Sequence, residues 1–356
     1  MTPLWNGAAV WRGFAKCIVV LGAGIQLWAE EERYAAAFLE IPLGARALGL
    51  GAAFTAIADD AWGFYWNPAG TALTPPTVLV AGMYSSQYGA IGSPLAHFFH
   101  TGLLLPVSGL RVGVHWARFT VPDLRAYPDL TRVLSLQERE ELVRRASAGD
   151  FIPNADDAIW IVLARLFVVP VDFGWLRFQV PVEFPVGLNI KLLHERIAEH
   201  RASGIGVDVG AMLRVNLKDI AFDERWPRLS LGVNVRDIGG TQLLWTTQRP
   251  HRIPPSVSWG VALTQPLEAW KLELTLGYSR DERYGGHNNY GIEVLYRRSF
   301  ALRAGTYRSV LTFGAGVDAG LLTVDYGFLA DSDTQLGNVH RLGICLRLEP
   351  LLKRLQ

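Results

Sequence analysis

The stretch that decides the fold is Gly204–Val215, which reads GIGVDVGAMLRV. Its odd-numbered positions are all apolar, whereas its even-numbered positions hold glycine, Asp208, Met212 and Arg214. A period of two indicates a β-strand whose two faces meet different surroundings. In a soluble sheet the second face would be rich in Lys, Thr and Glu, and here it is mainly glycine with isolated charges.

The same alternation returns in Leu229–Arg236, Trp270–Ser279 and Arg341–Leu348. A continuous apolar face suits lipid, while glycines and paired charges suit a narrow, filled lumen. This pattern predicts an all-β protein, a transmembrane antiparallel β-barrel. Aromatic residues near the strand ends are interpreted either as the two interfacial girdles or as ordinary core. They are Trp226, Trp259, Trp270, Tyr278, Tyr290, Tyr296 and Tyr326.

The composition of the 356 residues supports a membrane location, since half of them are hydrophobic, only 19% are charged and mean hydropathy is +0.17. Such low charge excludes a disordered chain. The net charge of +1 gives no electrostatic case for nucleic acid. Beyond the first thirty residues no run of 18 apolar residues predicts a membrane-spanning helix. A closed barrel is the other structure that satisfies its backbone inside lipid.

The first residues predict export. Arg12 and Lys16 precede the apolar run Cys17–Leu27, and Ala29 is followed by three glutamates. We interpret residues 1–29 as a secretory signal peptide, the alternative being an ordinary N-terminal helix. The expected location is therefore the outer membrane of a Gram-negative-type bacterium, with outer-membrane lipid and the barrel-assembly machinery as partners. The mature chain would keep Cys345 alone, so no internal disulfide is expected.

Counting alternating segments predicts about 14 strands within a barrel domain at 77–349. They lie near 77–88, 95–106, 109–119, 157–169, 175–195, 204–216, 226–238, 255–265, 269–281, 287–298, 299–308, 310–319, 320–330 and 339–349. The polar connection 120–156 contains Ser135-Leu136-Gln137-Glu138, a capping box that predicts a short helix in an extracellular loop. The tail 350–356 is expected in the periplasm.

The remaining segment, 30–76, ends in a recognisable pattern. Residues Phe38–Gly70 read FLEIPLGARALGLGAAFTAIADDAWGFYWNPAG. They resemble the N-terminal signature of the FadL and PorV superfamily of outer-membrane barrels, and Asn234–Gly240 and Leu302–Gly305 also resemble family strands. The resemblance implies a fourteen-stranded barrel with an N-terminal hatch inside the lumen. The residues that carry the hatch motif are Gly44, Arg46, Gly49, Gly51, Asp59, Asp60, Asn67, Pro68, Ala69 and Gly70.

Two functions are implied by the resemblance. FadL-type members imply passive uptake or binding of hydrophobic small molecules, and PorV-type members imply a shuttle for secreted proteins of type IX secretion. The chain is shorter than typical fatty-acid transporters, and its hatch fits the broad superfamily pattern better than that of the dedicated shuttles. We therefore expect uptake, with the shuttle as the alternative and a purely structural barrel as a third reading.

Two groups of residues are expected to matter for such a barrel. Arg46, Asp59 and Asp60 of the hatch could pair with lumen charges, namely Asp208, Arg214, Glu293, Arg303, Asp325 and Arg341. A lateral opening is expected between the second and third strands, where Pro94, Pro106 and Gly109 would weaken pairing.

The residues that could suggest an enzyme do not match the spacing of the corresponding catalytic motifs. Gly49-Leu50-Gly51 lacks the six-residue glycine pattern of a nucleotide loop, and His194 and His200 miss the spacing of a zinc-protease helix. Ser108-Gly109 lacks the flanking glycine of a nucleophile elbow. We expect no catalytic residues, no cofactor and no metal site.

Overall fold

The computed structural model describes residues 35–90, 92–125, 130–131, 135–147, 149, 151–172, 179–248, 250–330 and 337–348. The predicted signal peptide and the predicted tail lie outside these residues. No described helix has the length and apolarity needed to cross a bilayer.

Strands dominate the described chain. They are β1 (Leu79–Ala90), β2 (Ser93–Val107), β3 (Leu110–Thr120), β4 (Asn154–Asp172), β5 (Gln179–Ile197), β6 (His200–Asn216), β7 (Arg228–Arg236), β8 (Thr241–Trp245), β9 (Pro250–Ile253), β10 (Ser256–Leu267), β11 (Leu272–Asp281), β12 (His287–Tyr296), β13 (Phe300–Tyr307), β14 (Val310–Asp318), β15 (Leu322–Leu329) and β16 (Val339–Arg347). The α-helices are α1 (Ala45–Gly49), α2 (Gly63–Trp66), α3 (Leu136–Ser147) and α4 (Leu217–Ala221). Short 3₁₀ turns lie at Ala37–Glu40, Pro68–Leu73, Glu268–Trp270 and Arg283–Gly285.

Fourteen of these strands form a closed antiparallel ring. Each of β1–β7 and β10–β16 pairs with its neighbours along the chain, β7 pairs with β10, and β16 returns to pair with β1. The predicted all-β barrel and its strand count are therefore confirmed. We call the rim at which β1 begins and β16 ends the lower rim, and the opposite one, which carries 121–153, the upper rim.

The two faces of the wall differ as the alternation predicted. On β6, the outward Ile205 is 67% exposed, whereas the inward Asp208 is 4% exposed. Because the exposed residues of most strands are apolar, the barrel presents lipid with a continuous hydrophobic surface. Examples from around the ring are Leu103, Val114, Ile161, Leu192, Leu231, Leu263, Leu276, Ile292, Leu302, Phe313, Tyr326 and Ile344.

Residues 35–76, the N-terminal segment, pack against the inward faces of the strands. Phe64 stacks on His115 of β3, and Asn67 bonds the Ala211 carbonyl of β6. Arg46 reaches Glu293 of β12. Contacts with strands on all sides of the ring place this segment within it. Inward glycines leave room for the backbone and side chains of the segment, and they include Gly187, Gly210, Gly232, Gly277, Gly291, Gly305, Gly314, Gly327 and Gly343.

The two longest connections at the upper rim differ in structure. In the polar connection, α3 begins directly after Ser135, whose Oγ accepts a hydrogen bond from the Glu138 amide at 3.5 Å. The sequence analysis missed a short hairpin, β8–β9, which pairs with the upper end of β6 through Ala202–Gly204. With strands of five and four residues, the hairpin is too short for period-two alternation to stand out.

The sequence predicted weak strand pairing between β2 and β3, and the structure contradicts this prediction. Their pairing is unbroken from His97 opposite Thr120 to Val107 opposite Leu110. A proline removes no ladder bond where its nitrogen faces away from the partner or lies at a strand end. Pro94 is the second residue of β2, Pro106 lies one residue from its end, and Gly109 lies in the following turn with φ +80°.

Candidate functional site

The N-terminal segment runs through the barrel from the upper rim to the lower rim. At the top, the Glu40 carboxylate accepts hydrogen bonds from Arg283 at 2.8 Å and Arg308 at 2.6 Å, both on upper-rim turns. At the bottom, Arg111, beside the turn between β2 and β3, donates to the Thr74 carbonyl at 2.7 Å. The described segment therefore occupies the whole depth of the lumen.

A charge network in the lower half joins the segment to the wall. The Arg46 guanidinium donates to Asp59 at 2.6 Å and to both carboxylate oxygens of Glu293, at 2.8 and 2.9 Å. Arg303 donates to Glu293 at 2.5 Å and to Asp325 at 2.7 Å. Glu293 thus bridges two arginines, one from the segment and one from the wall.

The adjacent Asp60 has a hydrogen-bond partner for one of its two carboxylate oxygens among the described residues. Its Oδ1 accepts the Trp62 amide at 2.9 Å, and its Oδ2 has no hydrogen-bond partner among the described residues. Burial raises the pKa of the Asp60 carboxyl to about 7, against the opposing field of Arg46. This carboxyl therefore changes charge near neutral pH.

A second network, in the upper half, joins the predicted lumen charge Asp208 to Lys191, Asp237 and Arg283, which the sequence analysis did not name as lumen charges. Lys191 bonds Asp208 at 2.8 Å and Asp237 at 2.7 Å. Asp237, which is fully buried, also accepts from Arg283 at 2.6 Å. Arg283 in turn holds Glu40 of the segment. The available signal was Asp237 itself, since it lies within the family-like stretch Asn234–Gly240.

The predicted lumen charges therefore have mixed roles. Glu293 contacts the segment through Arg46, and Arg341 donates to the backbone carbonyl of Pro42. Asp208 pairs with a wall lysine, and Arg214 lies 3.4 Å from Glu183 of the wall. Arg303 and Asp325 act through Glu293. The inward direction of these six side chains followed from alternation, whereas their partners depended on the closure of the ring.

The other motif residues shape the segment. Asn67 donates to the Thr55 carbonyl at 2.9 Å and accepts the Ala69 amide at 3.1 Å, which caps the 3₁₀ turn that Pro68 begins. A Cβ on Gly49 would lie 2.9 Å from the Gly314 Cα, so this pair lets two backbones touch. Gly44 and Gly51 have φ of +90° and +62°. Gly70 packs against the Ala58 carbonyl.

Two cavities lined by described residues lie toward the lower rim. A cavity of about 610 Å³ opens there between the end of the segment and the wall. Its apolar lining is formed by Leu73, Pro76, Pro106, Leu110, Ala164 and Leu166. A second cavity, of about 260 Å³, has a charged lining that includes Arg46, Asp60, Arg298 and Arg347. By contrast, the cavity beneath the upper rim measures only about 20 Å³.

This arrangement defines what the molecule can do. The closed ring has an apolar outer surface, and this architecture points to the outer membrane of a Gram-negative bacterium. The lumen is blocked along the segment and widens below it. A solute could therefore be held at the lower rim, while passage through the barrel requires the segment to move.

One family model matches the N-terminal part of this chain. The model of the Uncharacterised protein family (UPF0164) matches residues 24–91. This stretch contains all of Phe38–Gly70, on which the resemblance to the FadL and PorV superfamily rests, and the match agrees with that resemblance. No curated protein matches the chain.

Among solved structures, the chain is similar to the toluene transporter TodX of Pseudomonas putida, at 10% identity and a TM-score of 0.47, over 85% of this chain and 96% of that one. It is also similar to the outer membrane protein Omp33 of Acinetobacter baumannii, at 8% identity and a TM-score of 0.37, over 76% and 97%. A third is the translocator domain of the autotransporter NalP from Neisseria meningitidis, at 12% identity and a TM-score of 0.32, over 77% and 89%.

Proposed function

We propose that this barrel binds hydrophobic small molecules or lets them pass the outer membrane, without a cofactor or an energy source. The observation that supports this most is the cavity of about 610 Å³ with its apolar lining at the lower rim. Concave, mainly apolar sites with a few polar groups are the usual sites for small molecules. Arg111 and Arg214 would supply those polar groups.

In this proposal the N-terminal segment is the hatch of the barrel. With an even number of strands, the chain enters and leaves the wall at the same rim. Short turns usually face the periplasm and long loops the cell exterior, which supports a periplasmic lower rim and a position of α3 at the cell surface. Insertion by the barrel-assembly machinery remains a prediction.

The lateral exit is proposed at a different place from the one the sequence suggested. Pro106 and Gly109 border the cavity at the turn between β2 and β3, below the unbroken ladder. Beyond Leu110, β4 continues downward from Leu166 without β3 beside it. A solute leaving here would meet lipid near the lower rim.

Filling this cavity tests the proposal. Ala164 faces the lumen, is 3% exposed and lines the cavity, so we expect Ala164→Trp to reduce uptake about tenfold by occupying the solute's space. The measurement is entry of N-phenyl-1-naphthylamine, a hydrophobic fluorescent dye, into cells with an otherwise intact outer membrane. Ala315→Trp, on the exposed face of β14, is the matched control. Equal uptake by the two folded variants would reject the cavity as the route.

A second candidate function, a shuttle for secreted proteins, is favoured by the loop that carries α3. This helix is mostly exposed and charged, and Leu136 at its start is 70% exposed. Such a surface could hold a protein partner at the cell surface.

Deleting residues 130–149 separates the two functions, because the Arg125–Phe151 bridge keeps the ends of the loop together. For the uptake function, we expect dye entry to stay within about twofold of the native protein, since surface loops tolerate deletion. Native mass spectrometry of gently extracted protein provides the second measurement. A secreted protein bound to the native chain and lost from the deletion variant would support the shuttle instead.

A further inference from the structure

Two histidines are buried where the N-terminal segment meets the wall. His100 of β2 and His115 of β3 are 3% and 1% exposed, and their ring centroids are 5.4 Å apart. Phe64 of the segment stacks on His115 with ring centroids 3.9 Å apart. Gly102, opposite His115 across the ladder, leaves the space that the imidazole fills.

Hydrogen bonds fix the tautomers of both rings. The Trp62 indole N–H donates to His100 Nδ1 at 3.0 Å, so this nitrogen carries no proton. His100 therefore has its proton on Nε2, which lies 3.2 Å from His115 Nδ1 and donates to it. His115 is then protonated on Nε2, which has no partner among the described residues. The chain from Trp62 to His115 requires two neutral imidazoles.

An added proton breaks this chain at either ring. On His100 it would sit on Nδ1, against the Trp62 N–H, and on His115 it would sit on Nδ1, against the His100 N–H. The groups that pack on the two rings are uncharged: Trp62 and Phe64 of the segment and Trp160 of β4, which contacts Phe64. The described contacts to the pair include no carboxylate that could stabilise an imidazolium. Charge in such surroundings is costly.

We propose that the His100–His115 pair is a pH-sensitive catch, which holds residues 60–66 against the wall when neutral and releases them in acid. The inference does not depend on which solute the barrel carries. A released imidazole has a pKa near 6.5, so the closed form is fully favoured above that pH and loses stability as pH falls below it. Between pH 7.5 and 5.0 the ratio of closed to open form should fall about thirtyfold for one imidazole and about nine-hundredfold for both.

Hydrogen exchange of the intact protein in lipid nanodiscs tests the proposal. After correction for the intrinsic rate, protection of the amides in residues 60–70 is expected to fall at least about tenfold between pH 7.5 and 5.0. The double variant His100→Gln with His115→Gln should lose this pH dependence. His115→Phe keeps the ring stack and should retain about half of the pH-dependent fall in protection, measured on a logarithmic scale. This variant replaces the double variant if the double variant does not fold.

Two control variants separate the catch from other titrating groups. His97→Gln changes an outward histidine bonded to Tyr84, and Asp60→Asn removes the carboxyl that titrates near pH 7 beside Trp62. His97→Gln should keep the fall in protection. Asp60→Asn should keep it or make it larger, because a buried carboxyl with a raised pKa stabilises the closed form as it becomes protonated and so opposes the histidines. The proposal is overturned if the native protein shows no fall, if the double variant still shows it, or if Asp60→Asn abolishes it.

Discussion

Replacing Glu293 with Gln is expected to lower the free energy of unfolding by about 3 kcal/mol. Glu293 is 4% exposed and is shared by Arg46 and Arg303. Its neutralisation therefore removes a negatively charged partner from the buried Arg303 and from the half-buried Arg46. The loss lies at the low end for a broken buried ion pair because Asp59 and Asp325 still hold one arginine each. Urea unfolding of the protein in lipid vesicles measures the effect.

Glu273→Gln is the matched control for this prediction. Glu273 faces the lumen on the neighbouring strand β11 and lines the charged cavity, without an ion pair among the described residues. Its neutralisation should change the free energy of unfolding by less than about 0.5 kcal/mol. Equal losses for the two variants would show that the network does not anchor the segment.

Replacing Gly327 with Val is expected to displace the N-terminal segment from the wall. An ideal Cβ on Gly327 of β15 would lie 2.6 Å from the Ala45 carbonyl oxygen and 3.2 Å from the Leu48 Cβ, so α1 must move. Overpacking of this kind typically costs about 1–3 kcal/mol. The segment can move away from the wall because, among the described residues, its covalent link to the wall is the connection to β1. We expect a clear rise in single-channel conductance in planar bilayers.

Gly82→Val is the corresponding control, because nothing lies within 4 Å of a Cβ at Gly82 on the outward face of β1. Its conductance should stay at the native level. If Gly327→Val folds and conducts no better than Gly82→Val, the close contact between α1 and β15 is not what keeps the lumen closed.

Much of the barrel could be predicted from sequence, because alternate residues of each wall strand face the outside and the lumen and differ in polarity accordingly. Ile205 and Asp208 differ in exposure as their parity requires. The hairpin β8–β9 escaped prediction because four or five residues carry too little alternation. The weakness expected at Pro94 and Pro106 was wrong, since a proline disturbs a ladder only where its nitrogen faces the partner.

The sequence predicted which side chains of the candidate site face the lumen, but it did not predict which of them pair. Arg46 and Glu293 were both expected to face the lumen, yet they are 247 residues apart and nothing local pairs them. The His100–His115 catch was missed for a similar reason. Each histidine was visible on an inward face with a glycine opposite or nearby, whereas Trp62 and Phe64 reach the pair only once the segment lies inside the ring.

By itself, the sequence determined an all-β membrane barrel, its fourteen wall strands and the face on which each side chain lies, because these follow from local period-two alternation. Only the tertiary structure decided which charges pair, where the lumen is open and how the segment is held. Those depend on contacts between residues far apart in the chain, which exist only after β16 has paired with β1 and the ring has closed around the segment.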